Sequence, residues 1–112
     1  MSDAIVERDG HAMVITMNRP ERLNAISGEM LCLMYDAYVE ASKDDDVRCI
    51  ILTGAGGNFC SGADLRAMAG DPGKEGVVDV QARLAADPDL PWKALLRHYR
   101  PKKPIIAAVE GV

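Results

Sequence analysis

Arg48 to Arg66, RCIILTGAGGNFCSGADLR, constrains this 112-residue chain more than any other stretch. Cys49-Ile50-Ile51-Leu52-Thr53 is a short continuous apolar run, the pattern of a strand covered on both faces. Gly54, Gly56 and Gly57 follow as a loop that can take positive φ and let another molecule approach the backbone. Ser61-Gly62-Ala63-Asp64 reads as the opening of a helix, where unpaired backbone N–H groups gather. Such groups bind phosphate, or an oxygen that becomes negative during a reaction.

Spacing separates these two uses. Gly57 and Gly62 stand as the two glycines of a P-loop do, but Ala63-Asp64 follows where that loop needs Lys and then Ser or Thr. A dinucleotide fingerprint beginning at Gly54 and Gly56 would need its third glycine at Phe59, and fails there. An oxyanion site built from main-chain N–H survives. Cys60 has no histidine partner in sequence, and Ser61 has no G-x-S-x-G elbow, so neither is read as a nucleophile.

The rest of the chain supplies a frame for that stretch. Ala4–Arg8 and His11–Met17 read as a hairpin joined by Asp9-Gly10, with His11 at an exposed edge. Asn18 to Ala25 is a polar loop stopped by Pro20. Ser27 to Lys43 is the best helix, capped by Ser27, with Met30, Met34, Ala37, Tyr38 and Ala41 on one stripe. Asp44-Asp45-Asp46 is a solvated run rather than a metal site, since consecutive carboxylates point apart. Gly70 to Gly76 is a flexible loop, and Val77–Ala86 a short helix. A second short helix, capped by Asp89 with Pro91 in its first turn, carries an apolar face of Trp92, Leu95, Leu96 and Tyr99. Ile105–Val109 is a second buried-strand run.

Composition excludes several classes. A net charge of −4 argues against non-specific binding to nucleic acid or to an anionic membrane. No apolar run reaches membrane-span length. The acidic Met1-Ser2-Asp3-Ala4 start lacks signal character, and three cysteines with no paired spacing suit a reducing compartment, so the expected location is cytoplasmic.

Asn58-Phe59-Cys60-Ser61-Gly62-Ala63-Asp64-Leu65 resembles the first oxyanion-hole segment of the crotonase (enoyl-CoA hydratase/isomerase) superfamily. Three further stretches agree in order and spacing: Asn18 to Ala25 with its coenzyme A-binding turn, Ile50 to Gly54 with its central strand, and Lys103 to Gly111 with the strand leading to its second oxyanion segment. Glu21 departs from the pattern, standing where many relatives carry a basic residue. The resemblance implies an α/β fold, the crotonase-like repeated ββα spiral, incomplete at its C-terminus. Residues 1–112 would then be the N-terminal part of a single domain.

The resemblance also implies a chemistry. The backbone N–H of Ala63 would be the first oxyanion donor. Arg22, Leu23, Ala25, Ser61, Ala63, Asp64, Leu65 and Arg66 would bind the coenzyme A thioester, with Arg22 and Arg66 facing its phosphates. No metal and no permanently bound cofactor are implied, because the thioester is the substrate. The second donor and the catalytic carboxylates would come from beyond Val112, covalently or as a separate chain, and Glu110 is not assigned as the base. The leading expectation is a hydratase or isomerase lyase assembled as a trimer or hexamer. Decarboxylation, dehalogenation, thioester hydrolysis and a non-catalytic acyl-CoA-binding fragment remain alternatives.

Overall fold

The computed structural model describes residues 2–64 and 79–112. Its centre is a four-stranded sheet of β1 (Ala4–Asp9), β2 (Ala12–Met17), β3 (Cys49–Gly54) and β4 (Ile105–Ala107), in that spatial order. β1 and β2 are antiparallel, and β2, β3 and β4 are parallel. The hairpin residues outside the Asp9↔Ala12 pair are Gly10 and His11, one position later than Asp9-Gly10. Gly10 takes φ +59, which suits the first position of a two-residue loop. His11 is exposed, with Nδ1 2.9 Å from the Asp46 carbonyl.

Helix α1 (Gly28–Lys43) covers one face of this sheet. Ser27 caps it: its hydroxyl accepts from the Met30 N–H at 3.1 Å. The whole expected stripe, Met30, Met34, Ala37, Tyr38 and Ala41, is buried with Met13, Ile15, Met17 and Ile50 from the sheet. Alternation along β2 explains which sheet residues meet it, since every second side chain faces α1. At the other end of α1, Lys103 Nζ donates to the Val47 and Asp44 carbonyls at 2.6 and 3.0 Å. That lysine ties the entry of β4 to the helix exit, where a cation is favoured.

Helices α2 (Val80–Ala86) and α3 (Leu90–Ala94) pack on the outer side of α1. Arg83 forks onto Asp36 at 2.6 and 2.9 Å, and Tyr99 meets Tyr35 edge-on with centroids 5.4 Å apart. Among the described residues no helix is long and apolar enough to cross a membrane.

Four expectations need correction. Among the described residues strand β3 is covered on one face only: Ile50 is fully buried, but Cys49, Ile51, Leu52 and Thr53 are half-exposed. Only the α1 side has a covering layer among the described residues. The second run forms a strand only over Ile105–Ala107, because beyond it the Ala108 carbonyl takes the Thr53 hydroxyl instead of a ladder N–H. No helix opens at Ser61, since Ser61 to Ala63 run extended beside Leu23 to Ile26. Finally, α3 buries Leu90 and Ala94 rather than Trp92 and Leu95, which are 47% and 40% exposed. The helix ends at Leu95, Leu96 turns to φ +62, and Asp89 meets His98 Nε2 at 2.8 Å instead of capping. Leu96 and Tyr99, at and beyond that break, do pack against the core, so the expected face holds in its second half only. Val77 and the Gly70 to Gly76 loop lie outside the described residues.

Candidate functional site

Because β2, β3 and β4 run parallel, the segments leaving them emerge at one edge of the sheet. Ligands of open parallel sheets bind outside such strand ends. Three segments meet there: the turn Arg19 to Ile26 after β2, the loop Ala55 to Asp64 after β3, and Ala108 to Val112 after β4.

The turn is a single 3-10 turn, Pro20–Arg22, followed by two left-handed residues, Leu23 at φ +52 and Asn24 at φ +56. Asparagine tolerates that conformation; leucine does so at a cost. The surroundings hold Leu23 there: its N–H donates to Pro20 O at 3.1 Å, and its carbonyl accepts from the Ser61 N–H at 3.0 Å. Asn24 is fully buried and joins the turn to the loop. Its Oδ1 accepts from the Arg19 N–H at 2.8 Å, and its Nδ2 donates to the Ala55 and Asn58 carbonyls at 2.9 and 2.7 Å.

The glycines divide by use. A Cβ on Gly54 would strike the Asn58 and Phe59 carbonyls, and one on Gly56 would meet Pro20 Cβ at 2.7 Å. Those two therefore serve the chain's own close packing rather than the approach of another molecule. Gly57 and Gly62, at φ +85 and +125, have nothing within 4 Å of the Cβ position and border open space.

Ala63 lies in an isolated parallel bridge with Ile26. The Ile26 N–H donates to Gly62 O at 2.8 Å, and the Asp64 N–H donates to Ile26 O at 3.0 Å. A trans peptide sets its N–H opposite its C=O. With the Gly62 carbonyl turned toward Ile26, the Ala63 N–H points away from the bridge, and no described residue accepts it. Ala63 is exposed. Ser61 sits against the turn, its hydroxyl 3.4 Å from Arg22 O. The Arg22 guanidinium is exposed and has no hydrogen bond or ion pair among the described residues, while Ala25 is half-buried just beyond it. The backbone around Arg22, Leu23 and Ala25 is thus brought beside Ser61, Ala63 and Asp64. Leu65 and Arg66 lie outside the described residues.

Arg19 and Asp64 form the ion pair of this edge, Nη2 to Oδ2 at 3.3 Å, with Arg19 Nη1 donating to Ala25 O at 2.6 Å. Asp3 stands behind them: its Oδ2 is 4.0 Å from Arg19 Nε and accepts from the Ser27 hydroxyl at 2.6 Å. Arg19, Asn24 and Asp3 were not singled out by sequence reasoning. The local signal for Asn24 was its residue type in a polar turn; Arg19 and Asp3 act through partners remote in sequence. The third segment runs alongside: Phe59 N–H donates to Glu110 O at 2.9 Å, and Val112 N–H to Asn58 Oδ1 at 3.1 Å. Gly111, at φ +57, lies against Gly57 and Asn58 with no room for a Cβ. Among the described residues no cluster of His, Cys, Asp and Glu could hold a metal ion.

The chain is similar to known proteins in sequence and in fold. The family model described as Enoyl-CoA hydratase/isomerase matches residues 7–112. The chain is 47% identical to enoyl-CoA hydratase EchA19 of Mycobacterium tuberculosis over 97% of its length, and 37% identical to 1,2-epoxyphenylacetyl-CoA isomerase of Escherichia coli over 89%. It spans only 39% and 37% of those two relatives. Among solved structures, EchA1_1 from Mycobacterium paratuberculosis matches 99% of this chain with 41% identity and a TM-score of 0.76. A carnitinyl-CoA hydratase from Mycobacterium avium matches 99% with 37% identity and a TM-score of 0.76. The chain covers 40% of each of those two structures.

Proposed function

The chain belongs to the enoyl-CoA hydratase/isomerase family, and from that premise we propose that it carries the first half of a site that acts on acyl-CoA thioesters through an enolate. Its fold is the N-terminal portion of the crotonase fold. One observation supports the chemical reading above all: the Ala63 N–H is turned outward from its bridge, exposed, beside the turn that holds Arg22.

In the proposed reaction the thioester carbonyl oxygen accepts from the Ala63 N–H and from a second backbone donor. A base removes the proton α to the carbonyl, or water adds at the β carbon of an enoyl chain. Either way an electron pair moves onto the oxygen, which becomes an enolate. Donors aimed at that oxygen bind the enolate more tightly than the ground state, and the difference is the catalysis. Arg22, Leu23 and Ala25 meet the nucleotide end of coenzyme A. Ser61 and Asp64 flank the thioester, and the family resemblance assigns Leu65 and Arg66 to coenzyme A as well, Arg66 to its phosphates. The substrate itself carries the activating group, so no further cofactor enters.

Residues 1–112 are, in this reading, the N-terminal part of one domain. The relatives' greater length supports assigning the second donor and the catalytic carboxylates to polypeptide beyond Val112, joined or separate. Cytoplasmic location and a trimeric or hexameric assembly belong to the same reading. Isomerisation is the second chemistry, favoured by the likeness to an acyl-CoA isomerase.

The test is hydration of crotonyl-CoA by the full-length protein containing this chain. Ala63→Pro removes the N–H while keeping a small side chain, and kcat should fall about 10²–10³-fold with coenzyme A still bound. Unchanged turnover in a folded Ala63→Pro variant would overturn the assignment.

A further inference from the structure

We infer that Arg19 is a positioning residue of the proposed reaction: by tying Asp64 to Ala25 it fixes the direction of the Ala63 N–H, and it makes no contact with coenzyme A. The inference rests on the reading of Ala63 given above.

The Ala63 N–H belongs to the peptide plane that Gly62 and Ala63 share. That plane is held at its carbonyl by the Ile26 N–H, and the next peptide by Asp64 N–H to Ile26 O. Those two bonds make an isolated bridge, not part of a longer ladder among the described residues. On one side of Ala63 stands Gly62, at φ +125 with open space at its Cβ position, so packing does not restrain it. The residue before it, Ser61, is held by its N–H to Leu23 O, and a second hold comes from the other side, through Asp64.

Arg19 supplies it. Its guanidinium donates to Ala25 O, one residue before Ile26, and pairs with the carboxylate of Asp64, one residue after Ala63. The contacts close a ring: Ala25 carbonyl, guanidinium, Asp64 side chain, Asp64 N–H, Ile26 carbonyl, and back to Ala25. The two segments, already joined by two backbone bonds, are joined again by the same planar cation. A planar fork holds the two acceptors at fixed angles, whereas a lysine ammonium would bridge them from a flexible stem with less control of direction. The Arg19 side chain is 11% exposed and faces Asp3 as well as Asp64. Its charge is therefore spent inside the protein, whereas the exposed Arg22 remains open to a phosphate.

The experiment uses the full-length protein, with butyryl-CoA labelled with carbon-13 at the thioester carbonyl as a ligand that does not turn over. Infrared difference spectra of the bound carbonyl read how strongly the backbone donors polarise it, independently of activity. Wild type should shift the stretch below its solution value. Arg19→Leu should return it toward the solution value, with Kd within about tenfold of wild type. In crotonyl-CoA hydration the same variant should lower kcat about 10²-fold with KM little changed, the loss expected of a small misplacement at a reacting centre. Arg19→Lys and Asp64→Asn, which keep a polar partner, should give intermediate shifts and serve where Arg19→Leu does not fold. Arg22→Leu should weaken binding and leave the shift intact.

A lowered melting temperature in the Arg19 variants with an unchanged carbonyl stretch would make Arg19 merely structural and overturn the inference. So would a salt-dependent loss of affinity with the stretch unchanged, which would make it a phosphate ligand. A wild-type protein that binds the thioester without any shift would remove the Ala63 reading itself, and this inference with it.

Discussion

Asn24 shows how much one buried amide can hold. It satisfies three backbone groups from two segments, and nothing else among the described residues is bonded to all three. Asn24→Ala leaves the Arg19 N–H and two carbonyls without that partner, at about 1–3 kcal/mol for each group that stays dry. Water will re-enter part of the gap, so the expected loss is about 2–3 kcal/mol in urea unfolding of the full-length protein. Asn24→Asp should be no milder, because a carboxylate oxygen would then face the Ala55 and Asn58 carbonyls in place of a donor. A loss below about 0.5 kcal/mol, the range of ordinary surface substitutions, would show that the amide is dispensable. Arg22 is the opposite case. Its guanidinium is exposed and has no ion pair or hydrogen bond among the described residues, so Arg22→Ala should leave the unfolding midpoint unchanged. Affinity for coenzyme A should fall about tenfold at low salt, and the gap should close as salt screens the phosphates. Titration calorimetry at two ionic strengths checks this.

At the scale of elements, α1 was readable because its stripe repeats with the helical period and its cap is a serine at the boundary. The same stripe contains a polar atom that no pattern flags: the Tyr38 hydroxyl is buried without a hydrogen-bond partner among the described residues. Burial alone pushes its pKa far above the usual phenol value. The raised folded pKa means that stability is fully present below the unfolded value of about 10. It is lost as the pH climbs from there toward the folded pKa, because only the unfolded chain ionises. Tyr38→Phe should therefore stabilise by up to about 1 kcal/mol at neutral pH, removing an unsatisfied hydroxyl. It should also flatten the decline in urea midpoint between about pH 9.5 and 11. An unchanged alkaline profile would mean that the hydroxyl finds a partner. Elements whose partners are tertiary were harder to read. The apolar run of β3 looks the same whether one or two layers cover it. The face of α3 was half legible: Leu96 and Tyr99 pack on the core, but Trp92 and Leu95 do not, because Leu96 breaks the helix through a backbone angle, not a residue type that announces a break. Local motifs singled out Ala63, Ser61 and Arg22, and the structure brings their segments together. The Arg19–Asp64 pair that joins those motifs spans 45 residues and left no local trace.

For the molecule as a whole, the decisive feature is the sheet face turned away from α1. Register sets Val14, Ile51 and Ile106 in one row across β2, β3 and β4. Ile106 is 55% exposed, with Val109 and Val112 at 61% and 58% nearby. A solvent-facing sheet surface normally alternates apolar with polar residues, whereas parallel strands rich in Ile and Val are usually covered on both sides. Relatives of more than twice this length have polypeptide available for such a cover. The two possibilities predict opposite outcomes for Ile106→Lys. On an open surface a lysine is harmless, within about ±0.5 kcal/mol. Beneath a second layer it must bury a charge or push the layer away, and the loss should exceed about 2 kcal/mol. We expect the larger loss in urea unfolding of the full-length protein. In a polypeptide of these 112 residues alone, the row should instead bind a hydrophobic dye such as ANS, and Ile106→Lys should reduce that binding while leaving the helical circular dichroism intact. Lysine at 106 tolerated in the full-length protein would mean that this face meets water throughout, and the site would then be built without a second layer behind it.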